Sequence, residues 1–489
     1  MSLRRSMVAI AVIFGFAASV VAARHTETTT LTRFSTAPFA SRPYASHSTT
    51  AVTTTWYCPG VPAGDATVGG EFVIGNPTAV PITGTITYLG PEGTDPVTAA
   101  ITAPPRDRLV LDAAQAMTGA VVAATIELEG GEGVVEQRAS DPAGAAVASC
   151  TTETSSTWYF ADGWTAGSSS DQLIITNPYA DTVTVDIAFF TAKSKRLPGP
   201  LQGASIGANS VRVISIEDSG FANESVIGVQ VVSERGRMIV ARQQHYDGGG
   251  RTGYSLDLAS PTLSDQMWFV EGDSGTDITE QYVILNPTNE DVAVDLVVLG
   301  IPVTPAFAPP DSITVPANQV VTFDTKDITG LPLGPHSLVF STLAHPSVVI
   351  ERVLTKPSGA GPVTTVVMGM TSEYVVPRWY VPIGVDASTD GAIVVYNPDQ
   401  EDKTVAIKAI GPGGEVAVPG QEAIVLPAAA TISINLTDPS LFAKLLVVEG
   451  SARIFVERKL PRGGNLAGRS GSWALPECGP CNFSSPPSS

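Results

Sequence analysis

One frame of residues occurs four times along this chain, and that repetition restricts the fold more than any other feature. An aromatic pair opens the frame, a loop follows, and a short apolar strand stops at Asn-Pro. The four copies are TWYCPG…EFVIGNP (55–77), TWYFADG…QLIITNP (157–178), MWFVEG…QYVILNP (267–287) and RWYVPI…AIVVYNP (378–398). Trp56, Trp158, Trp268 and Trp379 mark the copies, and Asn76, Asn177, Asn286 and Asn397 close them. A repeat of this length makes the chain an array of one module. With 489 residues, four modules of about 100 residues each match the usual domain size.

Within each module the apolar residues alternate. Ile82, Ile86 and Tyr88 fall on one side of a strand and Thr83, Thr85 and Thr87 on the other; a period of two marks a half-buried strand. Val183, Val185 and Ile187 repeat the pattern in the second module, and Val292, Val294 and Leu296 in the third. Proline ends the preceding strand because it has no N–H for a ladder. The second half of each module repeats as strand, small-residue turn, strand, and closes on GVVEQR (133–138), MIVARQ (238–243), VVIERV (348–353) or IFVERK (454–459). About seven short strands per module predict an all-β chain of four tandem immunoglobulin-like β-sandwich repeats. The expected boundaries are 53–150, 151–262, 263–374 and 375–475. Brief polar junctions such as ASCTTETSS (148–156) predict modules set nearly end to end, with modest hinging.

The ends of the chain read differently. Arg4 and Arg5 precede an apolar run from Met7 to Ala23, with small residues at Val21-Ala22-Ala23. Residues 1–23 therefore read as a signal peptide or an N-terminal membrane anchor. Either way the remainder is expected outside the cytoplasm, secreted or held at the cell membrane by that segment. Residues 24–52, rich in Thr, Ser and Pro, read as a disordered tether, and 476–489 as a disordered tail carrying CxxC. Export favours disulfides. Cys58 and Cys150 bracket the first module and Cys478 and Cys481 lie three positions apart, so of the three pairings open to four cysteines the expected one joins Cys58 to Cys150 and Cys478 to Cys481.

The formal charge of −19 gives nucleic-acid or polyphosphate binding no electrostatic basis. Histidine is sparse: His25 and His47 lie in the tether, and His245, His336 and His345 are scattered. No metal-protease, nucleophile-elbow, P-loop or dinucleotide motif occurs. Acidic pairs before the Asn-Pro strands (Asp162 with Asp171, Asp273 with Asp277, Asp386 with Asp390) lack a contiguous calcium loop and read as solvated loop carboxylates. Glu136/Arg138, Glu351/Arg352, Glu457/Arg458 and Arg242 recur at one place in the closing strand, which points to a structural role at a module edge or junction. No catalytic residue, cofactor or metal ligand is assigned. The repeated tryptophans are expected to fill their own modules' cores. Trp164 breaks the repeat, in the loop GWTAGSSS; it reads as a ligand-binding position or as packing on the neighbouring module near Tyr179 or Pro200.

The WYCPG opening, the ASC…SSTWYFADG junction and ARQQHYDGGGRTGYS…MWFVEG resemble a family of secreted or membrane-anchored actinobacterial proteins of unknown function, over most of 50–475. The resemblance implies an extracytoplasmic, envelope-associated β-rich protein and no particular activity. The expected function is a non-catalytic cell-envelope scaffold or interaction protein whose partner is an envelope protein or glycan, with membrane contact only through the N-terminal segment. The alternative is a carbohydrate-binding protein or an accessory subunit of a wall-modifying enzyme.

Overall fold

The computed structural model describes residues 53–64, 67–130, 132–301, 307–342, 345–358, 361–383, 392–436, 438–441, 443–460 and 470–477. The N-terminal segment, the tether, Cys478, Cys481 and the Asp386/Asp390 pair lie outside them. No helix among the described residues is long and apolar enough to cross a membrane.

The fold is all-β, built from repeated antiparallel sheet pairs. In the first module the strands are β1 (Thr53–Ala63), β2 (Gly69–Asn76), β3 (Ile82–Leu89), β4 (Val97–Ala103), β5 (Asp107–Asp112), β6 (Gly119–Glu129), β7 (Val134–Asp141) and β8 (Gly144–Ser149). They form one sheet in the order β1-β6-β3-β4 and a second in the order β5-β2-β7-β8. A four-residue helix, α1 (Ala113–Ala116), capped by the Asp112 carboxylate, joins β5 toward β6. The second and third modules repeat both sheets. In the fourth, one sixteen-residue strand, Leu445–Leu460, pairs in both sheets and so replaces β6 and β7.

Asn-Pro is a backbone clamp. The Asn76 amide donates to the carbonyls of Val80 (2.8 Å) and Ala103 (3.1 Å) while its Oδ1 accepts from Thr78 N–H (2.9 Å). Asn177 does the same with Asp181, Gly207 and Tyr179, Asn286 with Glu290, Val315 and Thr288, and Asn397 with Glu401, Pro427 and Asp399. All four are fully buried. One short side chain thus satisfies backbone groups from two turns that would otherwise be enclosed without partners.

The tryptophan frame needs one correction. Trp56, Trp158 and Trp379 are buried, but the buried residue in the third module is Met267. Its neighbour Trp268 stands where the other modules carry tyrosine: Trp268 bridges Met370 as Tyr57 bridges Thr151 and Tyr159 bridges Ser260. Aligning Trp268 with the other tryptophans is therefore wrong by one residue. A slip of one sends a side chain to the opposite face of a strand, and Trp268 accordingly packs on the fourth module, 5.1 Å from the Phe455 ring and 5.8 Å from Tyr396.

The modules do not extend into a hinged, end-to-end rod. The described residues pack as one compact unit, and the apolar core runs across the junctions. Ile174, Val211 and Tyr254 of the second module, and Leu445 and Val447 of the fourth, belong to the cluster around Trp56 of the first. Val270 and Met370 of the third join the cluster of the fourth. The fourth module thus returns to the first, and the array closes. Closure removes the bare terminal faces that an open repeat array must cap.

Candidate functional site

The closing strands place the charged residues of this chain at the module junctions. Arg242 donates to Glu351 of the next module at 2.8 Å, Arg352 to Glu457 at 2.5 and 3.1 Å, and Arg458 to Glu136 of the first at 2.9 Å. All six side chains are fully buried. The carboxylates also take backbone N–H groups from the opening strand of the preceding module: Ala161 (2.7 Å) and Asp162 (2.6 Å) to Glu351, Glu271 (3.1 Å) to Glu457, and Ile383 (3.2 Å) to Glu136. Burial pushes the three glutamic acids up and the facing guanidinium opposes it. The arginines remain charged throughout. A hydrogen-bonded guanidinium–carboxyl pair therefore occupies each of these junctions.

The junction between the first and second modules departs from this rule. Register places Gln137, not Arg138, at the arginine position of the first module, and Ala241 at the glutamate position of the second. Gln137 Oε1 accepts from Gly60 N–H at 3.1 Å, so one amide takes the strand-opening contact that a glutamate makes elsewhere. Gly60 has φ 139°, and a Cβ there would meet Val121 Cγ1 at 2.5 Å.

The first module also holds the disulfide between Cys58 and Cys150, as the cysteine positions imply. The equivalent positions hold Phe160 with Ala259, Phe269 with Gly369 and Val381 with Ala474: in each, the second residue donates its N–H to the closing strand as Cys150 does to Val135. A Cβ on Gly369 would lie 2.7 Å from Phe269 Cζ. A large side chain over a small one thus fills the space that the disulfide bridges.

A second polar layer surrounds the junctions. Arg251 clamps Asp162 at 2.8 and 3.0 Å, and Asp171 is fully buried beside Gly163. Asp162 and Asp171 are therefore interior groups, not the solvated loop carboxylates expected from their place before the strand. At the next junction Glu271 is held by Lys459 (2.7 Å), Lys356 (3.3 Å) and Arg352 (3.6 Å). Burial works to raise its pKa, but the three cations prevail and hold it at about 2. Asp273 pairs with Lys356 at 2.8 Å, and Asp277 is exposed. His336, fully buried, lies 2.9 Å from Glu280 Oε2, and Gly272 leaves it room: a Cβ there would come within 2.7 Å of the imidazole.

Trp164 is neither an open platform nor an inter-module contact. It is 8% exposed and covered by its own module. The glycine-rich hairpin Asp247–Arg251 folds over it, with a Cβ on Gly249 (φ 63°) only 2.5 Å from the indole, and the Arg251 guanidinium sits 3.8 Å from the ring centroid. Cation–π attraction and apolar burial hold the ring there. The signal for this was present as GGGR at 248–251 but carries no address in sequence.

No arrangement among these groups resembles a reaction centre open to substrate. Among the described residues no three His, Cys, Asp or Glu side chains converge to hold a metal. A polar surface depression of about 450 Å³ lies at the fourth Asn-Pro corner, lined by Asp399, Asp402, Lys403 and Ser451; Asp399 there is paired with Lys403 and Arg453. No curated protein matches the chain. Residues 112–265, from the end of β5 through the second module, are similar to a family described as "Family of unknown function (DUF5719)".

Proposed function

We propose that this chain is a non-catalytic extracytoplasmic protein of the cell envelope, a tethered multi-module scaffold that offers its outer loops and strand edges to partners. The observation that carries the reading is the use of its buried acids. Glu136, Glu351 and Glu457, the residues best suited to acid–base chemistry, are each committed to an arginine of a neighbouring module. In this reading residues 1–23 export the chain or anchor it and 24–52 form the tether. The Cys58–Cys150 link is compatible with an oxidising compartment. The resemblance in the WYCPG and WYF…NP segments supports an actinobacterial envelope origin.

The test is fractionation of cells producing the full chain, followed by incubation of the purified protein with wall glycans and ester substrates. Recovery with the envelope or medium, and no turnover, is the expected result. Turnover that disappears on one point substitution would replace the scaffold reading with an enzyme. Saturable glycan binding without turnover would favour the carbohydrate-binding alternative.

A further inference from the structure

The outer edge of the first module differs from those of the other three. Sheet edges with unpaired backbone groups invite strand addition, and proteins blunt them with short strands, charges or bulges. The strands at this edge in the second module are Lys195–Arg196 and Ala204–Ile206, in the third Ile313–Val315, and in the fourth Gly414–Ala417 and Ile424–Leu426. They are short, and those of the second and fourth modules are split. β4 has seven residues, VTAAITA, without charge, proline or interruption. It pairs with β3 on one side, and no described element pairs with its other side.

Its side chains reinforce the point. Ile101 and Ala103 turn inward and are buried, which puts Val97 and Ala99 on the same face, yet both are exposed. This face of the sheet therefore continues past the core as uncovered apolar surface, with Val97 40% exposed. The opposite face carries Thr98, Ala100 and Thr102, all exposed.

We propose that β4 is the pairing edge of a symmetric dimer, in which a second copy of this chain adds its own β4 antiparallel about Ala100. The sequence is self-complementary around that residue. A two-fold axis at Ala100 sets Thr98 against Thr102 of the second copy on the outer face. On the inner face it sets Ala99 against Ile101 and Val97 against Ala103, small against large. Threonine pairs and apolar pairs are favourable cross-strand neighbours, and each strand keeps its faces in register, as an isologous contact requires. The acidic residues Glu92 and Asp95 precede the strand at one end only, so antiparallel pairing places the two acidic ends apart. Seven residues bury less than the roughly 1,000 Å² of a stable interface. The dimer is accordingly weak, with a Kd on the order of 10–100 µM.

Sedimentation velocity on the full chain, secreted or detergent-extracted, over about 1 to 300 µM tests this. The wild-type chain should pass from monomer to dimer with concentration. Ala100→Lys and Ala100→Glu, both at an exposed site, should keep the wild-type melting temperature and remain monomeric, because each sets like charges face to face on the axis. Mixing the two variants should restore association, since the charges then attract. A wild-type chain that stays monomeric, variants that dimerise like wild type, or a mixture that fails to associate would each overturn the proposal.

Discussion

The Arg458 guanidinium in the last module grips the Glu136 carboxylate in the first, 322 positions away in sequence and with no solvent exposure on either. Arg106 and Arg108 of the first module add bonds to the carbonyls of Pro412 and Pro382 in the fourth. Removing one partner of a buried pair strands the other, at a cost of about 3–5 kcal/mol. Arg458→Ala should lose that much in urea denaturation, whereas Arg458→Met with Glu136→Leu should recover most of it. Gln137→Arg should likewise destabilise when made alone, because it faces Ala241, and improve when combined with Ala241→Glu. A double-mutant cycle with no coupling at either junction would contradict the assigned pairing.

The disulfide and the aromatic-over-small contacts are alternative solutions to one packing problem. Reduction, or Cys58→Ala with Cys150→Ala, should cost up to about 4.5 kcal/mol, the chain-entropy value for a loop of this size. Phe160→Cys with Ala259→Cys should oxidise spontaneously, because those residues occupy the same two positions in the second module. Mass mapping of the unreduced variant checks this, and free thiols at both positions would count against the equivalence.

Each Asn-Pro clamp should be separately measurable. Asn177→Ala removes four hydrogen bonds and leaves the carbonyls of Asp181, Ile206 and Gly207 without their side-chain donor. Buried groups left in that state cost about 1–3 kcal/mol each, so a loss of roughly 2–4 kcal/mol is expected. Asn177→Asp, which keeps the acceptor but loses the donor, should fall between wild type and alanine in thermal unfolding.

Two acids should respond to pH in opposite directions. Glu271 is held at about 2 in the folded chain, below its unfolded value near 4.3. Its contribution is therefore complete above pH 4.5 and lost as the pH falls toward 2. Glu271→Gln should be less stable than wild type by about 3 kcal/mol at pH 7, and equal to it near pH 2. Asp257 is pushed up to about 7 by burial, with Glu351 and Asp162 adding to the shift against Arg242. Its protonated form is the favoured one, so stability present below pH 4 is lost as the pH rises through 7. Asp257→Asn should flatten that decline. Chemical denaturation from pH 4 to pH 8 that shows the same slope in variant and wild type would exclude it.

The sequence by itself determined the local chemistry of this protein. Four modules, alternating strands, strand ends at Asn-Pro and a disulfide bracketing the first module are written in residue order, because each rests on neighbours in sequence or on a repeated spacing. Even the junction role of the Glu and Arg positions was legible from their recurrence. Tertiary structure decided what depends on which faces meet. Met267, not Trp268, enters the third core, since the pairing of Trp268 with Met370 puts the tryptophan where the first two modules carry Tyr57 and Tyr159. Asp162 and Trp164 are interior because one glycine-rich hairpin folds Arg251 back onto both, and Asp171 because its strand packs beside Gly163. The fourth module meets the first, a contact between residues more than 300 positions apart. Short polar junctions are equally compatible with a rod. The rotation from one module to the next chooses between rod and ring, and it is set by side-chain packing at the junctions.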